Sequence, residues 1–234
     1  MQHSTNTWIV AGVTALPVYT ILLAIGTLTP QPDSVADPVG WAHFVTTTPY
    51  LVSHVVTNLV GPVLAILATF ALTVLTITRS PRLAPTGLVL TVTGQILLSA
   101  PAVISTLVTP AVGRAYLDGN RDVMTLSFPA VTTIITTVAL LTTVIGNIVV
   151  GIAVARSSIV PRWAGIVWSV GTVTFYVLGA ALGMATTGAS LLTQPLGAAL
   201  LTVSGISMAW AARRRRPQNE AEPAPSEPTL TARS

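Results

Sequence analysis

Six stretches of this chain run for 18 residues or more without an Asp, Glu, Lys or Arg: residues 8–28, 50–78, 86–109, 129–155, 163–185 and 195–212. No other feature constrains the fold so tightly. A helix rises about 1.5 Å per residue, so about 20 apolar residues cross about 30 Å of hydrocarbon. In lipid the backbone must satisfy its own N–H and C=O groups, which makes each run a helix. The expected fold class is therefore all-α: a polytopic bundle of six transmembrane helices spanning residues 1–212. Residues 213–234, rich in Pro, Glu, Ala and Ser after the arginines, read as a disordered cytoplasmic tail.

Composition then removes function classes. Charged residues are 8% of the chain against 51% hydrophobic, and the mean hydropathy is +0.75. A soluble domain carries about 25% charge, so a soluble enzyme is excluded. There is no cysteine, which removes disulfides, thiolate metal sites and cysteine nucleophiles. The 11 basic residues are all arginine, so lysine Schiff-base chemistry is absent too. A pI of 10.3 would suggest nucleic acid in a soluble protein. Here the arginines sit in loops and at a helix end, and no nucleic-acid partner is expected.

Their placement sets an orientation. Arg79 and Arg82 lie between the second and third runs, Arg156 and Arg162 between the fourth and fifth, and Arg213 to Arg216 after the sixth. In a six-span chain all three segments face one side, which the positive-inside rule makes cytoplasmic. Both termini are then inside, in a bacterial inner membrane. Trp163 and Trp210 read as interfacial anchors on that side. The first run has no basic stretch before it and no small-residue cleavage pattern after it, so it reads as a retained helix.

Local signals fill in the connections. Asp37-Pro38 reads as a helix start, with Trp41, Phe44 and Val45 on one face, predicting a short amphipathic helix on the outer leaflet. Asp118-Gly119-Asn120 reads as a turn. Ser127 reads as a cap for the fourth span, and Pro110 as the stop of the third. Pro17, Pro62 and Pro101 should bend their helices, with Gly61-Pro62 freeing a backbone carbonyl. Pro81-Arg82-Leu83-Ala84 and Pro161-Arg162-Trp163-Ala164 hint at a repeated helical hairpin. The four arginines Arg213, Arg214, Arg215 and Arg216 read first as a plain stop-transfer and orientation signal; they also suit anionic lipid, at about 1 kcal/mol each.

No Asp, Glu, Lys or Arg lies inside a predicted span, which argues against proton-coupled pumping and voltage sensing. The spans carry uncharged polarity instead. Tyr50, His54 and Asn58 share one helix face, Gln95 lies near the middle of the third span, and Thr136, Thr143 and Asn147 line a face of the fourth. Two readings stand: interhelical hydrogen bonds, at about 0.6 kcal/mol each, or a polar pocket in the outer half of the bundle. Tyr50, His54, Asn58, Gln95 and Asn147 are its candidate ligand-binding residues. His43 and His54 with Asp33 and Asp37 form a candidate metal set, although their spacing matches no zinc motif. Only His54 lies within a span, so bis-histidine haem ligation lacks a second ligand, and no cofactor is predicted. Ser53-His54 puts the two side chains about 100° apart, which does not make a nucleophile–base pair. Gly179 and Gly183 form a Gly-x-x-x-Gly for close crossing, within the bundle or between copies.

The segments Pro49-Tyr50-Leu51-Val52-Ser53-His54, leading to Gly61, and Pro161-Arg162-Trp163-Ala164-Gly165 resemble uncharacterised actinobacterial multi-span membrane proteins of the DUF4386-like type. That resemblance implies an all-helical integral membrane protein and supplies no activity. Three functions are consistent with the residues. The leading one is non-enzymatic binding of a lipophilic ligand or partner helix. The others are transport of a small neutral or lipophilic solute, and a metal- or haem-binding membrane enzyme.

Overall fold

The computed structural model describes residues 2–29, 31–127, 129–187 and 190–214. Among them it contains no strand and six helices long and apolar enough to cross a membrane: Thr7–Gly26, Thr48–Thr76, Leu83–Leu117, Ala130–Ser157, Arg162–Thr186 and Thr193–Arg214. The protein is a multi-pass membrane protein of all-α class. Arg215, Arg216 and the rest of the expected tail lie outside the described residues.

The spans close into a ring in chain order. Each packs on its two sequence neighbours, and the sixth returns to the first. Two short hairpin turns carry Arg79 and Arg82, and Arg156 and Arg162, at one end, where Arg213 and Arg214 also lie. Trp163 and Trp210 at that end are half exposed, as lipid-facing anchors would be. Arg214 stacks over the Trp210 ring at 3.5 Å.

The arginine half of the ring is solid. Val13, Leu16, Leu72, Val154, Trp168, Leu201 and Met208 form its core, each no more than 3% exposed. The tightest crossing joins spans three and four through matched segments, Thr91-Val92-Thr93-Gly94 and Thr143-Val144-Ile145-Gly146. Each glycine faces the threonine of the other helix. A Cβ on Gly94 would meet the Thr143 backbone N at 2.6 Å, and one on Gly146 would meet the Thr91 N at 2.5 Å. Only glycine lets two backbones approach this closely. Gly179 works the same way between spans five and six, where its Cβ would lie 2.5 Å from the Gln194 Cα. Gly183 is buried as well. Of the two readings of this motif, Gly179 serves the close crossing within the bundle.

The other half is looser. Span four buries residues from Ala139 onward, but Val131, Ile134 and Val138 before it are 56%, 61% and 47% exposed. Its packing on span three runs along Leu83–Val103 and does not extend to the rest of that span. Pro129, not Ser127, occupies its N-cap position, without a side-chain cap.

Span three departs from expectation at Pro110. The helix does not stop there but continues to Leu117, 35 residues in all or about 52 Å, so its end projects beyond the hydrocarbon. Arg114 lies on that projecting turn. The predicted short helix forms as Pro38–Val45, with the Asp37 carboxylate accepting from the Gly40 N–H at 2.8 Å and Pro38 in the first turn. It does not lie free on a leaflet. Trp41, Ala42 and Val45 are buried against Tyr116 and the projecting end of span three. The turn after Leu117 closes at Gly119, whose φ is +100°.

Candidate functional site

Three spans switch from α to π register, at Val56–Val60, Ile104–Val108 and Val173–Ala181. Two of the switches share a sequence: Val56-Thr57-Asn58-Leu59-Val60-Gly61-Pro62 and Ile104-Ser105-Thr106-Leu107-Val108-Thr109-Pro110. Proline explains them. In each segment the residue before proline donates its N–H one place further back, Gly61 to the Val56 carbonyl and Thr109 to the Ile104 carbonyl. The next N–H is missing, because the residue is proline. The carbonyls of Thr57 and Ser105 thereby lose their intrahelical donors. π segments of this kind gather at functional sites.

The Tyr50 hydroxyl takes up the Ser105 carbonyl, donating to it at 2.9 Å. Asn58 donates from Nδ2 to Thr106 Oγ1 at 3.2 Å. The two π segments are thus stitched together by Tyr50 and Asn58. Pro110 is accommodated within span three for the same reason, since Tyr50 supplies a donor for the carbonyl left open.

His54 lies one turn below Tyr50, and the rings stack with centroids 3.8 Å apart. Its Nδ1 donates to the Tyr50 carbonyl at 3.0 Å, which leaves Nε2 as the acceptor nitrogen. The Ser53 hydroxyl donates to the same carbonyl at 2.9 Å. Both groups are spent on one acceptor, so Nδ1 is no base toward Ser53.

Beneath them the interior opens into a chamber of about 680 Å³. All six spans line it: Tyr19, Tyr50, His54, Asn58, Gln95, Ser105, Thr136, Tyr176 and Gln194 supply polar atoms, and Leu23, Leu98 and Leu140 supply apolar wall. Its floor is a hydroxyl pair, Tyr19 and Tyr176, 2.9 Å apart, with the Gln95 carboxamide beside both. Below that floor begins the solid half of the ring. The mouth is edged by Gly26, Thr29, Gln31, Phe44 and Pro49, at the end opposite Arg79, Arg82, Arg156 and Arg162. The exposed first turns of span four flank it on the lipid side. The volume suits a drug-sized or lipid-like molecule, and the lining offers hydrogen bonds without formal charge.

Four of the five expected ligand-binding residues, Tyr50, His54, Asn58 and Gln95, line this chamber. Asn147 does not. It donates to the Thr143 carbonyl at 2.9 Å and accepts from Trp168 Nε1 at 3.2 Å, tying span four to span five in the solid half. Thr136, Thr143 and Asn147 keep the one face expected of them, and height separates them: Thr136 reaches the chamber, whereas Thr143 and Asn147, about 10 Å and 16 Å further along the helix, meet Gly94 and Trp168 in the solid half.

The candidate metal set does not assemble. No group of three His, Cys, Asp or Glu side chains gathers among the described residues. His43 points outward on its short helix. Asp33 caps its own turn, accepting from the N–H groups of Val35 at 2.7 Å and Ala36 at 3.0 Å. Those two bonds, to Ala36 first and then Val35, hold the Asp33 carboxyl below its usual range. Asp37 caps the short helix. The two acids are used by local structure, and His54 is held by Tyr50.

Tyr19 and Tyr176 escaped the sequence reading. The signal was present: three of the chain's four tyrosines line one chamber, and a mid-span hydroxyl rarely faces lipid. The repeated Leu-Val-x-Pro of Leu59 to Pro62 and Leu107 to Pro110 also marked the two π segments. Of the expected lipid contacts, Arg213 Nη2 reaches Thr14 Oγ1 at 3.4 Å and Arg214 covers Trp210. No protein-family model matches the chain, and no curated protein or solved structure matches it.

Proposed function

We propose that this protein binds one lipophilic molecule with an uncharged, hydrogen-bonding head group in the six-span chamber. In this reading the arginine end is cytoplasmic, both termini are inside, and the protein sits in a bacterial inner membrane. The chamber then opens toward the outer leaflet. One observation carries the proposal: a cavity of about 680 Å³ with an uncharged polar floor stands above a solidly packed half-bundle. A charged head group would find no counter-charge there, and burying it unpaired would be costly. An amide, alcohol or ester would find Gln95, Tyr19, Tyr176 and the acceptor Nε2 of His54. The exposed beginning of span four supports entry of an apolar tail from the bilayer.

Native mass spectrometry of the full chain released from lipid nanodiscs tests the reading. The wild type is expected to retain one lipophilic adduct. Leu98→Trp, which fills the chamber, is expected to lose it while keeping the same unfolding temperature. Retention by both proteins would refute the proposal.

A transport reading draws support from the two proline-flanked π segments beside the chamber, before Pro62 and Pro110, because such register shifts can move. It requires the apolar half, Leu16 to Met208, to open. Solute flux in liposomes that Leu98→Trp abolishes would favour it over simple binding.

A further inference from the structure

A second concavity lies at the arginine end, outside the ring, where spans four and five meet. It is a groove of about 810 Å³. Its floor is formed by close backbone approach, since a Cβ on Gly165 would lie 2.6 Å from the Ala155 N. Arg156 and Arg162 stand at one end of the groove, both exposed. From there the walls run about 12 Å toward the bilayer centre, eight residues along each helix, past Ile152 and Ile166 to Ile148 and Val170. Ile152, Ile166 and Val170 are 37%, 50% and 52% exposed, so these walls face lipid.

The two guanidinium groups have no carboxylate beside them among the described residues. The four described acids, Asp33, Asp37, Asp118 and Asp122, all belong to connections at the opposite end. Two cations at the water boundary, continued by an apolar trough along the membrane normal, match one kind of molecule. It has an anionic phosphate head and a hydrocarbon chain. Basic clefts between helices at this depth are suited to such heads, and guanidinium binds phosphate oxygens in a bidentate manner.

We infer that the groove between spans four and five is a binding site for an anionic phospholipid. Its phosphate is held by Arg156 and Arg162, and an acyl chain lies along Ile152, Ile166 and Val170. This site is independent of the chamber and distinct from the Arg213–Arg214 end of span six.

The test is the unfolding temperature of the full chain in neutral detergent, titrated with dioleoyl phosphatidylglycerol, dioleoyl phosphatidylcholine or inorganic phosphate. Phosphatidylglycerol is expected to raise it saturably, and the other two are not. Arg156→Gln with Arg162→Gln should weaken the phosphatidylglycerol response at least tenfold. Arg213→Gln with Arg214→Gln should leave it within twofold. Because arginine removal can also disturb insertion, Ile152→Trp provides a second variant: it keeps every charge, fills the trough and should weaken the response as well. Native spectra should show one phosphatidylglycerol fewer on both groove variants. An equal response in wild type and groove variants, loss only in the Arg213/Arg214 variant, or an equal response to phosphate alone would each overturn the site.

Discussion

Gly94→Ala is the sharpest perturbation of the architecture that holds the chamber floor. A methyl group at Gly94 would stand 2.6 Å from the Thr143 N and 2.8 Å from the Thr143 Cα, and nearer still to Thr143 Oγ1. Carbon contacts are most favourable at about 3.5 Å or beyond, so spans three and four must part by about 1 Å. The obstacle is backbone, which no rotamer change can move aside. Overpacking of this kind costs about 1–3 kcal/mol, and the backbone obstacle places it at the upper end. Alanine returns about 1 kcal/mol through its greater helix preference. The expected net loss is about 1–2 kcal/mol. Gly205→Ala is the matched control. Its methyl group would meet Pro17 N at 3.4 Å and Leu16 Cγ at 3.5 Å, an ordinary contact, so only the gain of about 1 kcal/mol is expected. Unfolding in mixed micelles with increasing SDS, followed by tryptophan fluorescence, should separate the two variants by about 2–3 kcal/mol. Equal stability would refute the reciprocal crossing. Because Gly94 precedes Gln95, parting the helices should also lower retention of the chamber's ligand.

Other expectations follow from single contacts. Tyr50→Phe orphans the Ser105 carbonyl and should cost about 1–3 kcal/mol; adding Pro110→Ala restores an N–H and should recover part of the loss in the same assay. Trp168→Phe removes the donor to Asn147 and should cost about 1 kcal/mol without changing adduct retention in native spectra, because neither residue lines the chamber. The Asp33 carboxyl should titrate below the free-aspartate value of about 3.9 by NMR. Its folded-state value is depressed, so its contribution to the loop is present above that pH and is lost as pH falls through the lowered value.

The spans were legible because their signal is additive. A run without charge is long enough to cross lipid whichever way its helix is turned. The site was legible only in part because it depends on height within the bundle and on partners from other spans. Gln95 and Asn147 look alike from sequence, each a lone amide in an apolar helix. Gln95 stands at the chamber floor, and Asn147 lies in the solid half against Trp168. Tyr19 and Tyr176 meet across 157 positions, a pairing that helical spacing within one span does not register. Pro110 misleads for a related reason. A proline ends a helix unless its lost hydrogen bond is absorbed, and here a π turn and the hydroxyl of Tyr50, from another span, absorb it. The metal reading failed on local grounds. Asp33 and Asp37 sit two or three residues before the N–H groups they cap, a spacing that marks turns before it marks ligands.

The central claim is that the ring encloses a binding chamber for a neutral lipophile. A cryo-electron microscopy map of the full chain in nanodiscs tests it most directly. The account predicts elongated density in the chamber, with its polar end within about 3.2 Å of Gln95, Tyr19 or His54 and its tail directed toward the opening beside span four. A chamber closed by inward movement of span four, or one holding only ordered water, would contradict it.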